Sequence, residues 1–303
     1  MLPNGIIKKR ILITGANGML GQRLVKIFSQ YNNYTLLATS VENESVIRNI
    51  DYAICDISIR DDIKNLILNF YPDVVVHTAA FTNVDLSEKE REQCWKINVK
   101  AVEYITEACR VLGNHLIHIS TDYIFDGTSG PYNENAPPNP LGYYARTKLA
   151  SENVLRMSGV DFTIIRTNVL YGIADSRPDF VRWVINKLKS NDKINIVTDQ
   201  INNPTFIDDI VQAISKIIEF RKYGIYNIGG SEFISRYDFA LKIADFFNLN
   251  RNLIFAIVTK DLNQPARRPL KSGLIITKAQ AELNFKPYTI DEALTRMKAE
   301  LNL

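Results

Sequence analysis

The sequence is poor in the residues that build disulfide frameworks and metal sites. It contains 3 cysteines, 3 histidines and 2 tryptophans among 303 residues, and no Cys-x-x-C pair. An odd number of widely spaced cysteines argues against both a disulfide framework and a structural zinc site. His77, His115 and His118 stand in or beside apolar runs without a convergent set of acidic ligands, which favours core positions. We therefore expect no metal and a reducing, cytoplasmic setting.

Long apolar runs and an excess of one charge are also missing. No stretch reaches the roughly 20 apolar residues that a membrane-spanning helix needs, and the N-terminal segment lacks the apolar core of a signal peptide. The 36 Lys and Arg residues nearly balance the 33 Asp and Glu residues, for a net charge of +3. This balance gives no strong field toward nucleic acid or an anionic bilayer. We expect a soluble intracellular protein with neither as a partner.

What the sequence does contain is apolar material for a large core, arranged in two alternating patterns. Hydrophobic residues make up 46% of the chain, which excludes an intrinsically disordered protein. In the first half, short β-rich runs alternate with longer helical patterns, as in βαβ units around a parallel sheet. The predicted strands are 10–14, 35–39, 52–55, 74–77, 116–120 and 162–166. The predicted helices are 19–29, 61–70, 90–112, 179–189, 206–220, 235–247 and 290–301.

Three glycines mark the turn from the first predicted strand into the first predicted helix. Gly15, Gly18 and Gly21 are three apart and follow an apolar strand. Such glycines permit a tight turn, close approach of a pyrophosphate and close helix-to-strand packing, while the helix N-terminus offers unpaired N–H groups. The alternative is a tight turn without a ligand. We predict an α/β fold, with a Rossmann-type, doubly wound, dinucleotide-binding domain in residues 1–168. A smaller, mainly substrate-binding domain is expected in residues 169–303, with the chain crossing back between the two.

The end of the second predicted strand bears on the choice of dinucleotide. An acidic residue there would bind the adenosine ribose of NAD, but the sequence continues through Thr39 and Ser40 to its first acid at Glu42. This pattern favours NADP(H) and leaves NAD(H) possible. Asp56 follows the third predicted strand, where it would contact the adenine amino group. The alternative for Asp56 is a loop aspartate that caps the next helix.

A second group of residues has the chemistry of proton transfer. Tyr144 and Lys148 are four apart in a helical segment, so their side chains share a face. A nearby ammonium stabilises a tyrosinate and brings proton exchange closer to neutral pH. Thr121 follows a buried strand at the edge where open α/β sheets bind ligands, and its hydroxyl suits a developing alkoxide. Asn98 would hold a water or a backbone carbonyl near Lys148. Taken singly, each has a structural alternative on a helix surface or in a turn.

With these motifs in order, the chain resembles the extended short-chain dehydrogenase/reductases over nearly all of its length. It is most similar to the dTDP-4-dehydrorhamnose reductases, through Ser-Thr-Asp-Tyr-Ile-Phe-Asp-Gly at 120–127, Asp-Gln-Ile-Asn-Asn-Pro-Thr at 199–205 and the late motifs at 226–230 and 265–272. The resemblance implies reduction of the C4 keto group of a nucleotide-linked 4-keto-6-deoxy sugar for polysaccharide biosynthesis. It also implies a possible homodimer, formed through exposed apolar positions of the helix at 90–112.

The motifs and the resemblance together define the predicted site. Its catalytic residues are Thr121, Tyr144, Lys148 and Asn98. Its cofactor-binding residues are Gly15, Asn17, Gly18, Met19, Leu20, Gly21, Thr39, Ser40, Asp56, Ile57, Ala79, Ala80, Thr82, Tyr144, Lys148, Thr167 and Asn168. Its residues for the nucleotide-sugar substrate are Asp122, Tyr123, Asn168, Val169, Gln200, Thr205 and Arg268, the last beside the diphosphate.

Two departures from the family pattern keep other functions open. Val169 stands where the reductases commonly place a tryptophan against the sugar ring, and Leu86 stands where relatives often have lysine. The run Val-Leu-Tyr-Gly at 169–172 resembles the regulatory β-subunit of methionine adenosyltransferase, which suggests a non-catalytic, NADP-binding subunit as one alternative. A nucleotide-sugar epimerase with tightly bound NAD is the other.

Overall fold

The computed structural model describes residues 8–175 and 178–301. The ends of the two predicted domains, at 1–7 and 302–303, and residues 176–177 lie outside the described part. The strands are β1 Lys9–Thr14, β2 Tyr34–Ser40, β3 Tyr52–Ile54, β4 Val74–His77, β5 His115–Thr121, β6 Phe162–Thr167, β7 Leu170–Tyr171, β8 Ile194–Val197, β9 Ile201–Asn202, β10 Thr205–Phe206, β11 Gly224–Asn227, β12 Ile234–Ser235 and β13 Ile254–Ile257. The α-helices are α1 Met19–Phe28, α2 Arg60–Phe70, α3 Arg91–Trp95, α4 Ala101–Leu112, α5 Tyr143–Met157, α6 Phe180–Lys189, α7 Ile207–Phe220, α8 Arg236–Phe246, α9 Thr277–Leu283 and α10 Ile290–Leu301.

Seven strands form one parallel sheet in the order β11-β6-β5-β4-β1-β2-β3. The inner strands are apolar on both faces because helices cover both faces. Ile13 of β1 belongs to one apolar cluster with Ile214 of α7, and Leu12 belongs to a second cluster with Ile105 of α4. The predicted doubly wound sheet is confirmed, and the six predicted strands match β1 to β6 within two residues at each end.

The strand order reverses at β1, whose neighbours are β2 on one side and β4 on the other. Connections leave such a point in opposite directions and open a crevice at the carboxyl ends of the strands, where doubly wound folds bind ligands. The turn after β1 and the loop after β4 both border this crevice, because Gly15 and Ala79 are in contact there.

The helix predicted at 90–112 contains a π-helical turn, Lys96–Lys100, between α3 and α4. Such turns insert an extra residue into the helix and are frequent at functional sites. The inserted turn carries Asn98, which is 1% exposed, against the loop after β4.

The second half of the chain contributes both to the sheet and to smaller units. Strand β11 pairs with β6 at the sheet edge. The remaining strands form the two-stranded units β10-β7, β12-β9 and β13-β8. The largest apolar cluster is continuous across both halves, since it contains Ile11 and Phe28 together with Tyr226 and Phe239. No helix of the described residues has both the length and the apolar character to cross a membrane.

Candidate active site

A cleft of about 940 Å³ opens at the carboxyl ends of the central strands. It brings together nineteen of the residues predicted from the sequence. They are Gly15, Gly18, Met19, Leu20, Gly21, Ser40, Asp56, Ile57, Ala79, Ala80, Thr82, Thr121, Asp122, Tyr123, Tyr144, Lys148, Thr167, Asn168 and Val169. Residues that lie far apart along the chain therefore form a single wall.

The glycine turn leaves no room for larger side chains. Gly15 has φ +69°, and a Cβ there would lie 2.6 Å from backbone atoms of Ala79. A Cβ on Gly21 would lie 2.2 Å from the carbonyl oxygen of Gly15. Helix α1 begins after Gly18 without a side-chain cap, so its first N–H groups remain available beside the cleft. An uncapped N-terminus with the positive end of the helix dipole fits the pyrophosphate of a dinucleotide.

The end of β2 is organised around a carboxylate. Ser40 lines the cleft, and its hydroxyl donates a hydrogen bond to the Glu42 carboxylate. Asn17 also donates to Glu42 and binds the loop that follows, while Thr39 donates to the carbonyl of Ala53 inside the sheet. Asn17 and Thr39 do not line the cleft, and these hydrogen bonds hold their side chains within the protein.

Asp56 and Asn98 both make hydrogen bonds within the protein, but neither caps a helix or lies on a helix surface. Asp56 accepts a hydrogen bond from the N–H of Ser58 at 2.9 Å and also lines the cleft. The Asn98 amide accepts from the N–H of Phe81 and donates to its carbonyl, at 2.8 and 3.1 Å. It also donates to the hydroxyl of Thr147, next to Lys148 in the sequence. Asn98 therefore fixes the loop after β4 against α5 and lies outside the cleft lining.

Tyr144 holds its proton tightly. Burial, with smaller contributions from the Asp122 and Tyr123 groups, raises its pKa above the usual value, whereas a hydrogen-bonding contact with Thr121 acts in the opposite direction. We expected Lys148 to bring this phenol closer to neutrality, but burial is the larger effect. The Tyr144 phenol is therefore protonated at neutral pH.

Lys148 is buried and bound to a histidine. Its Nζ lies 3.2 Å from Nε2 of His118, whose ring stacks on His77 with centroids 5.3 Å apart. Burial lowers the pKa of Lys148 to about 8, while the charge of Glu152 acts to raise it. Glu152 itself is held by Arg166 through two hydrogen bonds of 3.0 and 2.8 Å. The histidines thus occupy the core, as predicted, and one of them contacts a residue of the predicted catalytic set.

Asp122 is a fully buried carboxyl at the centre of the site. Thr121 donates to it at 3.1 Å and Ser272 donates to its other oxygen. Burial outweighs these donors and raises the pKa of Asp122 to about 7. The bond to Ser272 also ties the late motif at 265–272 to the end of β5.

Three predicted substrate residues lie outside the cleft lining. Arg268 makes a bidentate ion pair with Asp85, with N···O distances of 2.8 and 2.6 Å. Gln200 donates to the hydroxyl of Thr259. Thr205 is fully buried behind Asn168, to which it donates at 3.1 Å. Their side chains are engaged within the protein.

The chain is similar to known proteins over nearly all of its length. The family model described as the RmlD substrate binding domain matches residues 9–303. The chain belongs to this family. A dTDP-4-dehydrorhamnose reductase of Aggregatibacter actinomycetemcomitans is 35% identical over 302 residues, covering 96% of this chain and 98% of the relative. The resemblance inferred from the motifs is confirmed.

Two further relatives bear on the function. The crystal structure of dTDP-4-dehydrorhamnose reductase from Bacillus anthracis in complex with NADP superposes with a TM-score of 0.86 at 29% identity, covering 97% of this chain and 99% of that one. Methionine adenosyltransferase 2 subunit beta of Xenopus tropicalis is 32% identical over 252 residues, or 80% of this chain and 73% of the relative. The chain is thus similar both to a reductase and to the regulatory subunit that was one of the two alternatives from the sequence.

Two residues of the cleft lining belong to no motif that the sequence analysis recognised. They are Arg236 and Phe180, which lie at the starts of α8 and α6. The one signal for Arg236 is its place directly after Ser235, a residue type that begins helices by capping them. Val169 also lines the cleft, with φ +37°, a left-handed conformation that is strained for a β-branched residue.

Proposed function

We propose that the protein reduces the C4 keto group of dTDP-4-dehydro-L-rhamnose with NADPH, giving dTDP-L-rhamnose. The observation that carries the proposal is the convergence of Thr121, Tyr144 and Lys148 on the same cleft wall as Gly15 and Gly18. A proton donor and a dinucleotide turn in one cleft are the two requirements of a carbonyl reductase. The 35% identical reductase, matched over nearly its full length, supports the substrate assignment.

The residues of the chain then have distinct tasks. The bound dinucleotide supplies the hydride. Tyr144 donates its hydroxyl proton to the oxygen on C4 as negative charge develops there. Thr121 turns its hydroxyl from Asp122 toward the same oxygen and stabilises that charge. Lys148 binds the ribose beside the nicotinamide and places a positive charge near Tyr144 as the phenol loses its proton.

For the dinucleotide, we propose a preference for NADPH with use of NADH. The relative from Bacillus anthracis was solved with NADP, and the end of β2 carries no acid before Glu42. Glu42 nevertheless lies close enough to accept from Ser40 and Asn17. Its carboxylate would repel a 2′-phosphate and bind a free ribose hydroxyl, which supports a modest rather than an absolute preference.

The decisive experiment follows the absorbance of NADPH with dTDP-4-dehydro-L-rhamnose as substrate. We expect oxidation by the wild type and a loss of roughly 10²-fold or more in turnover for Tyr144→Phe, the usual scale for a missing proton donor. Tyr143→Phe is the matched control, because that neighbouring ring packs under Arg91 at 5.2 Å and lies outside the cleft lining. Equal turnover in Tyr144→Phe and the wild type would remove Tyr144 from the mechanism.

The second candidate is a non-catalytic regulatory subunit, favoured by the 32% identity to methionine adenosyltransferase 2 subunit beta. Tight NADPH binding without turnover of any 4-keto nucleotide sugar would favour it over the reductase. An epimerase is distinguished in the same preparation, because it keeps its NAD through each cycle and would carry it in stoichiometric amount after purification.

We also infer a homodimer in a reducing cytoplasm. The helical segment from α3 to α4 carries Trp95 and Val111, which are 38% and 72% exposed, and an exposed apolar face of this kind suits a second copy. Sedimentation of the wild type and of Val111→Glu tests the dimer: a wild-type monomer contradicts it.

A further inference from the structure

Arg236 presents a guanidinium to the cleft without an ion-pair partner. It is the first residue of α8, its backbone N–H donates to the carbonyl of Gln200, and its side chain lines the cleft. The guanidinium carbon lies 5.0 Å from the centroid of the Phe180 ring. Over the described ranges 8–175 and 178–301, no carboxylate forms a salt bridge with it. A guanidinium stacked on a ring keeps its N–H donors available at its edge.

Three arginines elsewhere in the protein are neutralised by carboxylates. Arg23 binds Asp208 and Glu300, Arg166 binds Glu152, and Arg268 binds Asp85. Arg236 differs from them because it is half-buried and lines the open cleft, where an incoming ligand can reach its guanidinium. Arg236 can therefore bind the anion of a ligand. Arg268, the residue expected from the family pattern, already pairs with Asp85.

The surroundings of Arg236 place this capacity beside the proton donor. Burial raises the pKa of Tyr123, whereas the charges of Arg236 and Arg268 act to lower it; of the two arginines, only Arg236 also makes a hydrogen-bonding contact with the Tyr123 phenol among the described residues. The Tyr123 ring in turn meets the Tyr144 ring edge-on, with centroids 6.4 Å apart. The charge of Arg236 also acts to lower the pKa of Asp122, but the carboxyl oxygens of Asp122 accept hydrogen bonds from Thr121 and Ser272, not from Arg236.

Tyr123 thus separates the guanidinium from the position where the keto oxygen accepts its proton. In a hexose, C1 lies across the ring from C4, so a diphosphate on C1 lies about one ring's width from the reacting carbonyl. The dinucleotide has its own anion site at the uncapped start of α1. Arg236 is therefore matched to the anion of the second ligand.

We propose that Arg236 binds the diphosphate of the nucleotide-sugar substrate and that Arg268 is a structural residue. The proposal rests on the proposed function for the identity of the sugar. It requires of the ligand only a nucleoside diphosphate group. A planar guanidinium binds such a group through two parallel hydrogen bonds, which an ammonium cannot reproduce.

The test is calorimetric titration of dTDP into the protein saturated with NADP⁺, without any turnover. We expect Arg236→Gln to weaken dTDP binding by roughly 10- to 100-fold, Arg236→Lys to weaken it less, and the affinity for NADP⁺ to stay unchanged. Thymidine, which lacks phosphate, should bind Arg236→Gln and the wild type alike. Arg267→Gln is the matched control, because Arg267 is an exposed arginine next to Arg268 in the sequence. If Arg236→Gln fails to fold, the lysine variant decides on the same criteria.

The proposal is overturned by unchanged dTDP affinity in both Arg236 variants, by equal losses for thymidine and dTDP, or by a loss confined to NADP⁺. A loss of dTDP affinity in Arg268→Gln with none in Arg236→Gln overturns it in favour of the family pattern. The reductase activity is judged separately. A wild type that binds dTDP through Arg236 but never oxidises NADPH refutes the proposed function and leaves this inference standing.

Discussion

Replacing Asp122 by asparagine should change the pH dependence of stability in a defined direction. The pKa of Asp122 is raised from 3.8 to about 7 by burial, against hydrogen bonds from Ser272 and Thr121. A carboxyl whose folded-state pKa exceeds its unfolded-state pKa stabilises the fold fully below pH 3.8 and loses that contribution as pH rises through about 7. Asparagine has nearly the same shape and does not titrate, so Asp122→Asn removes the loss of stability that the wild type undergoes as pH rises.

The magnitude follows from the two pKa values. The difference between 3.8 and about 7 corresponds to about 4 kcal/mol, because one pKa unit equals about 1.4 kcal/mol at 25 °C. The free energy of urea unfolding is measured for both proteins between about pH 4 and pH 9. The stability of Asp122→Asn relative to the wild type should rise by up to about 4 kcal/mol across that range and level off above pH 7. Both neighbouring hydroxyls can turn to accept from the new amide.

The matched control has the opposite sign. Hydrogen bonds from the backbone of Thr128 and from Asn139 and Tyr132 hold the pKa of Asp126 well below its usual range. Its carboxylate stabilises the fold above pH 3.8, so Asp126→Asn should destabilise near neutrality, and the effect should vanish as pH falls. Between about pH 4 and pH 9 the effect of Asp126→Asn should be constant, so a stability difference for Asp122→Asn that is equally independent of pH refutes the reasoning.

Three further predictions follow from buried contacts. Glu152→Gln leaves Arg166 buried without a counter-charge and should lower the free energy of urea unfolding by about 3–5 kcal/mol; a change below about 1 kcal/mol contradicts this. Gly21→Ala places a Cβ 2.2 Å from a backbone oxygen, so NADPH affinity in a fluorescence titration should fall at least roughly tenfold, and an unchanged Kd would show that the turn tolerates the methyl. Turnover should fall as pH rises through about 8, because Lys148 loses its proton there. His118→Leu removes a hydrogen-bond acceptor from the Lys148 ammonium, so it should shift this fall in turnover to lower pH. A pH profile identical to that of the wild type would argue against that role of His118.

The sheet and the glycine turn could be predicted because their signals are local. A strand covered on both faces is a short apolar run wherever it occurs, and β4 and β5 have that pattern. Glycines are required where a Cβ would collide with backbone, as at Gly21. Strand β11 was harder to recognise, since its four residues include Gly224 and it pairs with β6, about sixty residues earlier in the chain.

The arginine that we propose to bind the diphosphate could not be predicted, for a different reason. Arg268 and Asp85 are 183 positions apart, and no sequence pattern states that they meet. The same holds for Arg236, which has no ion-pair partner among residues 8–175 and 178–301 because of everything packed around it. A motif therefore identified an arginine of suitable chemistry, and the tertiary contacts decided which arginine pairs with a carboxylate. The π-helical turn at Asn98 is likewise a response to packing, because the surrounding sequence has ordinary helical spacing.

Strand β11 has a consequence for recombining this protein with its relatives. Its Ile225 and Tyr226 lie in register with Ile164 and Ile165 of β6, so the border of the sheet is completed by chain from beyond position 200. A chimaera joined directly after β6 would import a foreign border strand together with the foreign specificity elements. Such hybrids should accumulate as folded protein only when the donor's border strand matches the host's β6 in side-chain volume, whichever sugar the donor prefers.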